Sequence, residues 1–310
     1  MPSRRTTPAA GAVTGAGVSP ARVSPARVRR PRAGRAHGGR GMLAGHVLAW
    51  SYALLLLLPL YYLLTTSLKD NAEVFAHPFS LPGQWLFDNF ADAWDLASLG
   101  PALGNSVLIT AGAEAITLAL AFPAAYGLAR SGGRTAAVVE RIFGIGFLIP
   151  AFAALVPTVL LAIELEMFQM QAFLILFLPA TALPLSVILL TQFMRTIPAE
   201  LEESAMMDGA GRWTVLWRIY VPMSAPGVIT VAILNFLGFW NEYLFSLVIL
   251  GPDPELRTVQ VALPSLVSAT MVQYGILAAA CLITLVPVYS VYVALQRRME
   301  SALVDGAVKS

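Results

Sequence analysis

A chain of 310 residues that is 57% hydrophobic and only 12% charged does not read as a soluble domain, where about a quarter of the residues carry charge. Its net charge is only +2 but is unevenly spread: nine arginines fall within the first 40 residues, and the first acid is Asp70. A single cysteine, Cys281, excludes an internal disulfide, and His37, His46 and His77 are too scattered to gather at a metal or catalytic centre.

Residues 1–41 are rich in Arg, Pro, Gly and Ala, with Val-Ser-Pro-Ala-Arg occurring at 18–22 and again at 23–27. Too few large apolar residues are present to build a core, so a disordered basic tail on the cytoplasmic side is expected. An arginine arm for nucleic acid is the rival reading; the expectation is no nucleic-acid partner. Translation starting at Met42 is a further alternative. Neither Arg4-Arg5 nor Arg29-Arg30 is followed directly by an apolar run, and the first hydrophobic segment exceeds a signal core in length, so it reads as an anchor that stays.

From residue 42 to 310 the sequence reads as one membrane domain. Six segments reach the roughly 20 mainly apolar residues that cross the hydrocarbon layer as a helix, at about 45–67, 104–129, 143–163, 171–194, 226–250 and 274–295. The fold class expected is therefore an all-α membrane protein. Lys and Arg in the flanks set the orientation. The N-terminal tail, the 130–142 loop (Arg130, Arg134, Arg141), the 195–225 loop (Arg195, Arg212, Arg218) and the C-terminal tail (Arg297, Arg298, Lys309) belong inside. The 68–103 connection has only Lys69 against five acids, 164–170 has no base, and 251–273 has Arg257 alone; these belong outside. Both termini are thus expected in the cytoplasm. Pro123, Pro150, Pro157, Pro179, Pro184 and Pro287 interrupt the spans. They fit either ordinary membrane packing or bent helices lining a cavity that opens to alternate sides.

The segment 198–226, between spans four and five, parses as helix, turn, helix. Pro198 suits a helix start, and Glu200, Glu202 and Glu203 place negative charge at the positive end of the macrodipole. Asp208-Gly209 signals a turn. A second amphipathic stretch carries Trp213, Leu216, Trp217 and Tyr220 at helical spacing and is expected to stop at Pro222. Exposed aromatics on such a hairpin call for a partner, or else for a lipid interface.

This loop resembles the permease family of bacterial ATP-binding-cassette importers, whose signature is Glu-Ala-Ala, two variable residues, Asp-Gly-Ala, an apolar position and a Pro-x-x-x-Pro close. Glu203, Ala205, Asp208, Gly209, Ala210, Leu216, Pro222 and Pro226 fall on it. Ser204 stands in place of the usual first Ala and Leu216 in place of a frequent Phe. The likeness extends over nearly all of 45–310. Asn105-Ser106, Ala124-Ala125-Tyr126 with Arg130, Trp240-Asn241-Glu242-Tyr243, Gln260-Val261-Ala262-Leu263 and the closing Gly306-Ala307-Val308-Lys309 look like the carbohydrate-uptake branch, and within it the smaller, maltose-type permease.

The resemblance implies a six-span subunit that pairs with a second permease, two ATP-binding subunits and an external solute-binding protein, in a bacterial plasma membrane. It implies that Glu203, Ser204, Ala205, Asp208, Gly209, Ala210, Trp213, Leu216, Pro222 and Pro226 form a cytoplasmic loop docking on the ATPase, and that Gly306, Ala307, Val308 and Lys309 reach the same partner. No P-loop pattern occurs in this chain. ATP and magnesium are therefore expected on the partner subunits, with no catalytic residue, metal or cofactor here. Glu114, Asn235, Asn241 and Glu242 lie within spans and are candidates for the substrate path. A proton-coupled secondary transporter using Glu114 and Glu242 is the alternative class, and an importer of this kind for a non-sugar solute is another.

Overall fold

The computed structural model describes the backbone of residues 39–267 and 272–307; side chains are not described at 39–42, 44 and 297–307. The expectation for the N-terminal tail falls on residues outside the described ones up to position 38. The chain divides into two compact units, 1–53 and 54–310. Of the first, only the opening of helix α1 is described.

Among the described residues the structure is helical, with a single isolated bridge between Val267 and Val272. In chain order the helices are α1 (Gly39–Thr66), α2 (Asn71–Ala76), α3 (Asp88–Leu96), α4 (Leu99–Arg130), α5 (Arg134–Leu148), α6 (Leu155–Glu164), α7 (Gln171–Arg195), α8 (Ala199–Met207), α9 (Arg212–Val215), α10 (Val221–Met223), α11 (Ala225–Trp240), α12 (Leu244–Leu250), α13 (Val259–Ala262) and α14 (Tyr274–Ala307). Four of them are long and apolar enough to cross a membrane: the α1 stretch from Gly45, α4, α7 and the α14 stretch to Gln296. The count rises to six if each of two bent pairs is one span.

Two of the expected spans are broken. The segment 143–163 is not one helix: α5 and α6 meet at 87°. Ile149 precedes a proline and is pushed out of the helical region, to φ −75° and ψ 117°, and Pro150 then opens a 3₁₀ turn over Ala151–Ala154. Pro157 lies in the first turn of α6, where a missing N–H costs nothing.

The segment 226–250 is likewise interrupted, at Asn241–Tyr243. The side-chain amide of Asn241 donates to the Leu237 carbonyl at 2.8 Å and satisfies the end of α11. The Glu242 carboxylate accepts from the backbone N–H groups of Phe245 (2.6 Å) and Ser246 (2.8 Å) and from the Ser246 hydroxyl (2.6 Å). It thereby caps α12 at the positive end of its dipole.

Three buried apolar clusters organise the second unit. One joins the C-terminal halves of α4 and α7 to Val215, Leu216, Tyr220 and Val231. Another gathers α3, the start of α4, Trp240, α13 and the start of α14. The third packs the middle of α4 and the start of α7 against Ala162, Phe239 and α12. Leu54 to Leu58 remain exposed on α1, as a lipid- or partner-facing helix requires. On the 251–262 side, Asn105 Nδ2 donates to the carbonyls of Glu255 (2.9 Å) and Arg257 (3.1 Å), and the Ser106 hydroxyl accepts from the Val259 N–H (2.9 Å).

Candidate functional site

The 198–226 segment folds as a hairpin of two short helical arms. α8 begins after Pro198, with Glu200 and Glu202 in its first turn. It ends in a glycine cap: the N–H of Gly209 bonds to Met206 O at 3.0 Å, and that of Ala210 to Ala205 O at 2.9 Å. Gly209 has φ +85°, the left-handed conformation that this double closure requires and that a side chain resists. The second arm runs through α9, a wider turn over Leu216–Tyr220 in which Val221 N–H reaches back to Leu216 O, and α10.

Pro222 does not stop this arm. The arm continues through the wider turn to Met223. The bend of 75° follows at Ser224, where Pro226 enters the first turn of α11. Beside it Gly227 lies against the Phe193 ring, where an added Cβ would come within 2.5 Å of Cγ.

The hairpin has two faces. Met207 (88% exposed) and Trp213 (67%) point outward, as do Glu203 and Asp208, while Trp217 (56%) has its ring stacked on Phe122 and the rest of it exposed. Leu216 (2%) and Tyr220 (0%) are buried in the cluster of Phe122, Leu128, Leu190 and Met194, with Ala205 and Ala210 packed against it. The four residues expected to form one exposed stripe are therefore split. Positions 213 and 217 form one row and 216 and 220 the next, about 60° round the helix axis.

Under the inner face lies a polar cluster centred on Glu202. Its Oε1 accepts from Tyr126 OH at 2.7 Å and its Oε2 from Tyr220 OH at 3.0 Å. Arg130 Nε stands 3.2 Å from Oε2 and also donates to the Tyr220 hydroxyl, while Nη2 donates to Ile197 O at 2.6 Å. The guanidinium carbon sits 5.0 Å from the centre of the Tyr220 ring. Burial, and then the hydrogen bond to Glu202, push the Tyr220 phenol up to about 12. Glu202 escaped the sequence reading except as a helix-start charge. The available signal was its position three residues before Ala205, which puts both on one helix face. A second ion pair, Arg195 Nη1 and Nη2 to Glu140 at 3.1 and 2.9 Å, ties α7 to α5 and holds the Glu140 carboxyl below the usual range.

Three of the four in-span candidates meet at one cavity of about 550 Å³, lined by Asn235, Asn241 and Glu242 together with Phe147, Phe152, Tyr243 and Phe245. Asn235 is buried and shares hydrogen bonds with Ser186 at 3.1 and 3.2 Å. Glu114 does not line the cavity, but its buried carboxylate lies beside the cavity-lining Asn235. A proton relay through Glu114 and Glu242 fits this arrangement poorly, because Glu242 is committed to capping α12. Among the described residues no group of three or more His, Cys, Asp or Glu could hold a metal ion. Gly306 and Ala307 end α14, and Val308 and Lys309 lie outside the described residues.

Residues 118–304 match the family described as binding-protein-dependent transport system inner membrane component, and the chain belongs to it. It is 33% identical over 266 residues to the diacetylchitobiose uptake system permease protein NgcG of Streptomyces coelicolor, covering 85% of this chain and 88% of that one. It is 32% identical to the melibiose/raffinose/stachyose import permease protein MelC of Bacillus subtilis, covering 81% and 91%. Its fold is similar to a chain of a bacterial ABC transporter involved in the import of the acidic polysaccharide alginate. That match has a TM-score of 0.72 at 22% identity, over 84% of this chain and 98% of the other.

Proposed function

We propose that residues 42–310 form a six-span permease subunit of an ATP-binding-cassette importer, which passes a sugar or oligosaccharide into a bacterial cell. The segments 143–163 and 226–250 each count as one span despite their breaks, both termini lie in the cytoplasm, and the 198–226 hairpin projects there. The observation that carries this is the hairpin itself: its inner face is locked to α4 and α7 while Met207, Trp213 and Trp217 stand exposed. Large exposed apolar side chains grouped on one face mark a docking site. The occupant is one of two ATPase subunits, which bind the ATP and magnesium. Glu203, Ser204, Asp208, Gly209, Trp213, Pro222 and Pro226 shape or present the docking face, and Ala205, Ala210 and Leu216 anchor it. The tail from Gly306 to Lys309 reaches the same partner.

A second permease completes the pore, and an external solute-binding protein delivers the cargo. ATP-driven closure of the ATPase pair displaces the hairpin and tips the helices between two states, a rigid-body transition biased by nucleotide. Sugar as cargo is supported by the transport named for NgcG and MelC. The cavity supports it too: aromatic faces beside the amides of Asn235 and Asn241 suit a ring with hydroxyls. Glu114 stands behind this path.

The test is co-expression with the neighbouring permease, ATPase and binding-protein genes. Uptake of radiolabelled diacetylchitobiose, melibiose and raffinose is then measured, with methionine as the non-sugar control. ATP-dependent accumulation of a sugar, with the ATPase retained on purification, is expected. Uptake by this chain alone, driven by a proton gradient, would sink the proposal.

A further inference from the structure

We infer that Glu202 is a positioning residue that makes the hairpin and α4 move as one body, through its bonds to Tyr126, Tyr220 and Arg130. The inference rests on the ATPase-docking reading above and adds the link on the hairpin's opposite face.

A load applied at Met207, Trp213 and Trp217 leaves the hairpin through its chain ends at α7 and α11, through Trp217 stacked on Phe122, and through its inner side. There the apolar contacts of Val215 and Leu216 with the helices hold it in place but are non-directional, so they permit sliding. Charge-assisted hydrogen bonds fix register as well as distance. The Glu202 carboxylate is where both arms and a membrane helix meet. It sits on α8, takes the Tyr220 hydroxyl from the second arm, and takes Tyr126 and Arg130 from the last two turns of α4.

Arg130, the final residue of α4, extends the joint to the exit of α7 through Ile197 O. Its side chain and that of Glu202 are 19% and 13% exposed, so water competes little for these bonds. Removing the carboxylate leaves the apolar seat intact. The hairpin then still docks, but its displacement is no longer passed on in full.

The experiment uses the complete importer reconstituted in vesicles, with the sugar that the wild type accumulates in the assay above. Three quantities are read: ATPase retained on purification, ATP hydrolysed, and sugar moved per ATP. Glu202→Ala is expected to retain the ATPase and its hydrolysis while sugar per ATP falls about fivefold or more, the lower end of typical coupling between sites. Glu202→Gln, whose single carbonyl oxygen keeps one phenol hydrogen bond while its amide NH2 cannot accept the other, recovers part of the ratio. Tyr126→Phe, which removes one hydrogen bond and keeps the ring, lowers it less.

A wild-type ratio in Glu202→Ala overturns the inference. So does loss of the ATPase from that variant, which would place Glu202 in docking or folding instead. A wild-type chain that retains no ATPase overturns the docking reading, and this inference with it.

Discussion

Replacing Gly209 separates the shape of the hairpin from its chemistry. The residue sits at φ +85°, and a Cβ built there meets nothing within 4 Å. Gly209→Ala therefore costs only the left-handed backbone, about 1–2 kcal/mol, or roughly a tenfold loss of the correctly capped form. Gly209→Pro is of another kind. The ring holds φ near −65°, about 150° from the observed value, and it deletes the N–H that bonds to Met206 O, worth about a further 1 kcal/mol. The cap cannot reform, so Asp208, Trp213 and Met207 lose their relative placement. Uptake and ATPase retention are the assays, with membrane insertion checked by fractionation. Gly209→Pro is expected to abolish uptake in an inserted protein, and Gly209→Ala to leave a measurable fraction. Normal transport by the proline variant would refute the reasoning.

Glu242→Ala removes three hydrogen bonds from the start of α12 and is expected to cost about 1–2 kcal/mol, as for a lost helix cap. A purified variant with an unchanged Tm would show that the carboxylate does not hold the break. Gly227→Ala drives a methyl group into the Phe193 ring, with an expected loss of about 1–3 kcal/mol from overpacking; wild-type stability would mean that the α7–α11 contact yields freely. For Glu140 the carboxyl is lowered by Arg195, so its contribution is present above the unfolded value of about 4.3 and lost as pH falls through the lower folded one. Because the pair is more than a third exposed on the arginine side, that contribution is about 0.5 kcal/mol or less. Glu140→Gln should differ slightly from wild type in thermal unfolding at pH 7, with the difference shrinking as the pH falls below the ordinary carboxylate range, and a gap that widens on acidification contradicts this.

Apolar length was legible in the sequence, since it depends on composition summed over 20 residues. The straightness of the spans was not, because a break is decided by two or three side chains. Asn241 and Glu242 read as polar residues within a span, yet they satisfy the two helix ends that their own break creates. Pro150 was visible, but its force falls on Ile149, the residue before it. In the hairpin, Asp208-Gly209-Ala210 announced its turn correctly because a glycine cap is local chemistry. Glu202 was hidden because its partners lie at 126, 130 and 220; its spacing from Ala205 gives the helix face it shares but names none of them.

The clamp on the 251–262 segment has a consequence for change over generations. Asn105 holds that segment by the carbonyls of Glu255 and Arg257, and Ser106 holds it by the N–H of Val259. Those are main-chain groups, which every residue other than proline supplies in full. The side chain of Glu255 is left out of the clamp, so position 255 is free to vary in charge and size while the path of the chain stays fixed. Arg257 is not free in the same way, since its guanidinium reaches Ala97 O at 2.8 Å. A surface built on these terms can be rewritten one residue at a time without rebuilding the helices that support it.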